Sequence, residues 1–268
     1  MKSLFDIKDK VVIVTGATGV LAGATAKYLA QNGAKVAFLG RNKEKLDEAR
    51  KFCESNGLCG MACECDVLNR PALESVREKV LGEWGTIDAI VNGAGGNQAG
   101  AVIQPDQSFF DLDVEAWNSV FKLNLQGTIL PIIVFGEVFR ENKKGAIVNF
   151  SSMTAQQAVT RVLGYSNAKA AIDNLTKWLP VEFAKKIGSG VRVNAVAPGF
   201  FLSEQNRALL TNPDGSLTSR GDDIIKNTPF GRFGEADEVF GAVHYLCSDA
   251  SKFVTGTVLP IDGGFSCF

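Results

Sequence analysis

The apolar positions of this chain fall into two alternating patterns. Short runs rich in β-branched residues, almost without polar interruption, occupy residues 11–14, 35–39, 61–65, 87–92, 146–150, 191–197 and 257–261. Continuous rather than alternating runs suit strands covered on both faces of a parallel sheet. Between them, apolar residues recur at helical spacing over 21–31, 43–55, 71–83, 114–141, 163–186 and 235–250. Strands and helices that alternate in this way are βαβ units, whose right-handed crossovers wind an open sheet. The expected class is therefore α/β, a doubly wound sheet of about seven parallel strands with helices on both faces.

No repeat, low-complexity tract or Pro/Ser linker interrupts the alternation, so residues 1–268 read as one domain. The exception is the stretch from about 200 to 230, which carries Pro213-Asp214-Gly215 and Pro229 and lacks a clear period. A loop that long inside a compact domain is usually functional, and a lid over a substrate is the expectation; a surface insertion without a role is the alternative.

Charge removes several classes of partner. Lys plus Arg number 28 against 29 Asp plus Glu, a net charge of −1, which leaves no basic footprint for nucleic acid. Apolar runs such as 10–15 and 127–135 are shorter than the roughly 18 residues of a membrane span, and no apolar segment opens the chain. A cytoplasmic protein without membrane contact is expected. Six cysteines in a chain this long fit reduced thiols better than a disulfide framework. Cys59, Cys63 and Cys65 cluster, but no second ligand pair follows and His244 is the only histidine, so no metal site is expected.

Candidate chemistry sits at strand ends. The first predicted strand runs into Thr15-Gly16-Ala17-Thr18-Gly19-Val20-Leu21-Ala22-Gly23 and then a helix, the context in which backbone N–H groups meet a pyrophosphate. Glycines there would equally serve packing alone. A second small-residue turn, Asn92-Gly93-Ala94-Gly95-Gly96, follows the fourth strand; two such turns at one sheet edge favour a dinucleotide. Together these features make the doubly wound sheet one of the Rossmann type.

Ser152, Tyr165 and Lys169 form the sharpest constellation. Tyr165 and Lys169 are four apart on a predicted helix and share a face. A phenol with a pKa of about 10 becomes a better proton shuttle beside an ammonium, and a serine hydroxyl would orient the reacting oxygen. Singly, they would read as an interface aromatic, a solvated charge and a helix cap.

These motifs resemble the short-chain dehydrogenase/reductase family over essentially the whole chain. The resemblance rests on residues 15–23, Cys65-Asp66-Val67, Asn92-Gly93-Ala94-Gly95, Asn124, Ser152, Tyr165-Ser-Asn-Ala-Lys169 and Pro198-Gly199. It implies hydride transfer between a nicotinamide dinucleotide and a carbonyl or secondary alcohol. Tyr165 would be the general acid/base, Lys169 would lower its pKa and hold ribose hydroxyls, and Ser152 would orient the carbonyl. Asn124 would interrupt its helix to hold a water in a proton relay. The resemblance further implies dinucleotide contacts from Gly16, Thr18, Gly19, Val20, Leu21, Arg41, Asn42, Asp66, Val67, Asn92, Gly93, Ala94, Tyr165, Lys169, Pro198, Gly199, Phe201 and Ser203, and a homotetramer. The family's usual loop glycines are Val20 and Ala22 here, its usual Asn-Asn-Ala-Gly reads Asn92-Gly93-Ala94-Gly95, and the usual threonine after Pro-Gly is Ser203.

The end of the second strand bears on cofactor choice. Leu39-Gly40-Arg41-Asn42 puts glycine where an acid would select NAD, and Arg41 next to it would accept the 2′-phosphate of NADP. NADP(H) is therefore preferred and NAD(H) possible, since Arg41 would also stack on adenine. For substrate, Asn92–Asn97, residues 109–113, 198–210 and 228–234 look like a bacterial subgroup of D-mannonate oxidoreductases (fructuronate reductases). That resemblance implies reduction of a sugar-acid ketone. Gly96, Asn97, Arg161, Gln205 and Arg207 are the candidate substrate residues, with Arg161 or Arg207 clamping a carboxylate. Arg161 at the surface and Arg207 bracing the lid are the alternatives. Another polyol or ketoacid of gluconate type, or a catalytically silent dinucleotide-binding module, are the competing functions.

Overall fold

Every predicted apolar run becomes a strand. In the computed structural model, which describes residues 3–202, Arg207 and 209–267, these are β1 (Val11–Thr15), β2 (Lys35–Gly40), β3 (Gly60–Glu64), β4 (Ala89–Asn92), β5 (Gly145–Phe150), β6 (Val191–Pro198) and β7 (Val258–Ile261). They pair in parallel in the order β3-β2-β1-β4-β5-β6-β7. Val12 stands between Val36 and Ala89, and Thr15 between Leu39 and Asn92. The order reverses at β1, so the carboxyl ends of β1 and β4 border the crevice where ligands of such sheets bind.

Side chains alternate between two cores. On one face, Val12, Val14, Phe38, Val91 and Val148 pack with Ala26 and Leu29 of α1 (Val20–Gln31) and Val243 and Leu246 of α8 (Phe240–Cys247). On the other, Ile13, Leu39, Ile90 and Ile147 meet Leu73, Val76 and Val80 of α3 (Arg70–Trp84) and Phe135, Val138 and Phe139 of α5 (Gly127–Asn142). Buried on both faces, the inner strands β1, β2, β4, β5 and β6 had to read as unbroken apolar runs, whereas the edge strands β3 and β7 are partly exposed. Two helix starts follow side-chain caps legible in the sequence: Asn42 accepts from the Lys45 N–H at 2.9 Å to open α2 (Lys43–Ser55), and Asn69 caps α3 with Pro71 in its first turn.

Three predicted elements differ. The single helix expected over 114–141 is α4 (Val114–Phe121), a π turn (Lys122–Gln126) and α5. The cause is local: Asn124 Nδ2 donates to the Val120 carbonyl at 2.8 Å and to the Gly96 carbonyl at 2.7 Å, so the side chain competes with the helical ladder. By length and composition the segment Val114–Asn142 would reach across a bilayer, longer than the apolar runs of the sequence suggested. In the fold it is a broken core element whose buried side chains pack on the sheet and α3. The stretch expected to be irregular contains α7 (Ser219–Lys226), opened by Thr218, whose Oγ1 accepts from the Gly221 N–H at 3.1 Å. The helix predicted at 235–250 is shorter and begins as a 3-10 turn (Ala236–Val239) before α8. Cys53, Cys63, Cys65 and Cys247 are buried, whereas Cys59 and Cys267 are exposed.

Candidate active site

A cleft of about 450 Å³ opens over the carboxyl ends of β1, β4, β5 and β6. Its floor starts at the turn after β1. Gly16 has φ +66°, and a Cβ there would lie 2.6 Å from the Gly93 carbonyl oxygen, so the first and fourth strand-end turns touch through a residue that must lack a side chain. Gly93 faces Ala22 in the same way: a Cβ at 93 would lie 2.5 Å from the Ala22 Cβ. The two departures from the family's glycine and asparagine pattern thus compensate each other, the methyl of Ala22 filling space that Gly93 leaves. No side chain caps the start of α1 at Gly19, so its first-turn N–H groups are left for an anion. This bare helix start, with a glycine floor over a topological switch point, fits a dinucleotide pyrophosphate.

Most of the predicted cofactor residues meet here. Gly16, Thr18, Gly19, Val20, Leu21, Arg41, Asp66, Val67, Gly93, Ala94, Pro198, Gly199 and Phe201 line the cleft, together with Gly96. Arg41 is exposed at its edge beside Gly40. The Asp66 carboxylate accepts from the Leu68 N–H at 2.9 Å, which fixes it at the wall. Two others, and the substrate candidate Asn97, are engaged elsewhere. Asn42 serves as the α2 cap, Asn92 donates to Asn149 Oδ1 at 3.0 Å beneath the cleft, and Asn97 Oδ1 accepts from the Gln98 N–H. Ser203 and Gln205 lie outside the described residues.

The catalytic candidates converge at the far end. Ser152 closes β5 and caps the 3-10 turn Met153–Ala155, its Oγ accepting from the Thr154 N–H at 3.3 Å. The cap and the site are one residue. Its hydroxyl also hydrogen-bonds the Tyr165 side chain. Tyr165, Lys169 and Asp173 follow each other one turn apart on α6 (Leu163–Lys186). Lys169 is buried, donates to the Phe150 carbonyl at 2.6 Å, and places Nζ 5.3 Å from the centre of the Tyr165 ring. Burial pushes its pKa down to about 8, opposed by Asp173.

The expected acidification of the phenol is not met in the chain itself. Burial raises the Tyr165 pKa, while the Ser152 hydrogen bond pulls it down. The reason is geometric: the ammonium spends its short hydrogen bond on Phe150 and lies over the ring. Asn124 interrupts its helix as expected, and both of its amide N–H bonds are engaged, with Oδ1 accepting from the Gly96 N–H at 3.1 Å. It ties the π turn to the turn after β4.

Arg161 does not join the cleft. Its Nε donates to the Ile103 carbonyl at 3.0 Å and its Nη2 to Gln104 Oε1 at 3.2 Å, in a separate depression lined by Thr154 and Ser166. A carboxylate clamp at Arg161 is therefore corrected to a brace on the loop that carries Ile103 and Gln104. Arg207 is exposed on the segment after β6. Sequence reasoning did not single out Cys65, Leu123, Phe150, Ser151 or Phe200 as cleft lining, nor Asp173. Only Asp173 carried a legible signal, the spacing of four from Lys169.

Comparison with known proteins agrees with this geometry. Residues 16–266 match the family model described as enoyl-(acyl carrier protein) reductase. The uncharacterized oxidoreductase UxuB of Bacillus subtilis is 42% identical, covering 98% of this chain and 97% of its own. A crystal structure from Haemophilus influenzae with bound NAD, provisionally named a D-mannonate oxidoreductase, is similar with a TM-score of 0.91 and 42% identity, over 98% of this chain and 97% of that one. A gluconate 5-dehydrogenase from Burkholderia cenocepacia, in complex with NADP and tartrate, aligns with a TM-score of 0.85 and 29% identity, over 98% of both chains.

Proposed function

The chain belongs to the short-chain dehydrogenase/reductase family of nicotinamide-dinucleotide-dependent oxidoreductases, and on that premise we propose that it reduces a sugar-acid ketone, D-fructuronate, to D-mannonate with NADP(H) preferred. The observation that carries the reading is the meeting of Ser152, Tyr165 and Lys169 at the end of a cleft whose other end is a glycine floor. The substrate rests on similarity to the Haemophilus protein that bears the D-mannonate name.

A nicotinamide dinucleotide held on the glycine floor would supply the hydride. Tyr165 gives its phenolic proton to the ketone oxygen, so hydride and proton together turn C=O into CH–OH. Burial, by raising the phenol's pKa, keeps that proton on Tyr165 until it is needed. Ser152 donates to the same oxygen and sets its distance from the phenol. The Lys169 ammonium compensates the phenolate left behind, and Asn124 holds the Gly95–Gly96 turn in place. Gly96 borders the ketone and Arg207, on the lid segment, takes the carboxylate, with Gln205 and Ser203 on the same segment. NADP(H) preference rests on Arg41 beside Gly40. The protein acts as a homotetramer, as the family resemblance implies, and in the cytoplasm, as its reduced-thiol cysteine usage suggests.

A turnover screen of fructuronate, tagaturonate and 5-ketogluconate with NADPH and NADH tests the assignment. Fructuronate is expected to give the highest kcat/KM. Preference for 5-ketogluconate would favour the gluconate-type reading that the Burkholderia relative supports. Inactivity on all three would reject a sugar-acid substrate.

A further inference from the structure

Beneath Lys169 lies a carboxylate for which no step has yet been named. Asp173 is one turn beyond Lys169 on α6 and half-buried. The Ser151 hydroxyl donates to Asp173 Oδ1 and lies 3.4 Å from the Lys169 carbonyl oxygen. Gln156, on the segment after the Ser152-capped turn, also hydrogen-bonds the carboxylate. One acid thus ties together Ser151, beside the candidate catalytic Ser152, the chain that follows Ser152, and the helix that carries Tyr165 and Lys169.

We propose that Asp173 is a positioning residue, which keeps the buried Lys169 ammonium charged and fixes the end of β5 against α6 through Ser151. A buried ammonium without a counter-charge loses its proton, because a low-dielectric surrounding disfavours the ion. Asp173 acts in the opposite sense on Lys169; burial raises the pKa of Asp173 itself, against the Ser151 and Gln156 hydrogen bonds and the Lys177 and Lys169 charges, which favour its ionised form. The neighbours of Lys169 from other elements are uncharged: the Phe150 carbonyl and Ser151 hydroxyl of the β5 end, and Gly95 of the turn after β4. Of the titratable groups described around Lys169, Tyr165 and Asp173 share its helix face, and Asp173 is the one whose charge opposes the desolvation of the ammonium. The residue does not touch the reacting atoms; it acts through Lys169.

The inference rests on the catalytic reading of Lys169 but not on the identity of the substrate. Full-length protein with isotope-labelled lysine is titrated by NMR from about pH 6 to pH 10, with Lys169→Arg assigning the signal. In Asp173→Asn the Lys169 midpoint is expected below its wild-type value, and Asp173→Glu is expected to bring it back. The alkaline limb of kcat/KM should move to lower pH with it, a tenfold loss above the limb for each unit moved. Asp173→Ser, which offers a hydroxyl as acceptor but no charge, serves if the asparagine variant does not fold. An unchanged Lys169 midpoint in either folded variant overturns the proposal. Failure of both to fold would also overturn it, by making Asp173 a folding residue. Inactivity of the wild type on every sugar acid would refute the substrate reading and leave the NMR outcome decisive.

Discussion

The contact between Gly93 and Ala22 predicts a defined response to adding and removing one methyl group. In Gly93→Ala the new Cβ would sit 2.5 Å from the Ala22 Cβ and 3.0 Å from the Thr15 carbonyl oxygen. Carbon atoms approach comfortably to about 3.5–4.0 Å, so more than an ångström of overlap has to be relieved where β1 and β4 turn together. Forced overpacking of this kind costs about 1–3 kcal/mol. Ala22→Gly alone removes a buried methyl from the first turn of α1 and costs about 1 kcal/mol by backbone entropy and lost burial. In the double variant the Cβ at 93 enters the vacated space, and only the Thr15 carbonyl resists it. The two costs should therefore fail to add by about 1 kcal/mol or more in a double-mutant cycle. Urea or thermal melting of the four proteins reads this out, at about 2–4 °C per kcal/mol for a chain of this size. Additivity within about 0.5 kcal/mol would show that the turns relax independently, and the compensation argument would fail.

Three further outcomes follow from the site. The folded pKa of Lys169, about 8, lies below its ordinary 10.5, so the buried ammonium opposes folding in full below pH 8 and the penalty is relieved as pH rises from 8 to 10.5. Lys169→Met should gain stability over the wild type at pH 7.5 by up to about 3 kcal/mol, with the gap narrowing by pH 10; a gap independent of pH would contradict it. Tyr165 should ionise later than a free phenol, so the difference in phenolate absorbance between wild type and Tyr165→Phe should stay flat to about pH 10, and phenolate at pH 8 would refute the burial effect. Arg41→Ala should weaken NADPH by about tenfold and leave NADH nearly unchanged; equal losses would favour stacking on adenine.

What the sequence disclosed depended on how local each cause was. The strands were legible because residues such as Ile13 and Val14 are buried on opposite faces of one sheet, which demands an unbroken apolar run. The break in the long helix over 114–141 was implied only by the family resemblance at Asn124, because apolar spacing does not show a carbonyl supplied by Gly96, far away in sequence. Asn42 and Asn69 announced helix starts by their type and spacing, and the α7 start at Thr218 used the same signal within a segment whose proline and glycine obscured it. At the site, the Tyr165 and Lys169 spacing was visible directly. The displacement of Arg161 toward Ile103 was not, because the acceptors that hold it belong to a distant loop. The mutual fit of Ala22 and Gly93 was likewise visible only as two unexplained departures until β1 and β4 were side by side.

The most direct test of the account is Tyr165→Phe, assayed for turnover with fructuronate and NADPH and, separately, for dinucleotide binding by intrinsic fluorescence. Removal of one hydroxyl should abolish nearly all turnover while the cofactor still binds. Undiminished turnover by the phenylalanine variant would contradict the assignment of the Tyr165 phenol as proton donor, and with it the proposed chemistry.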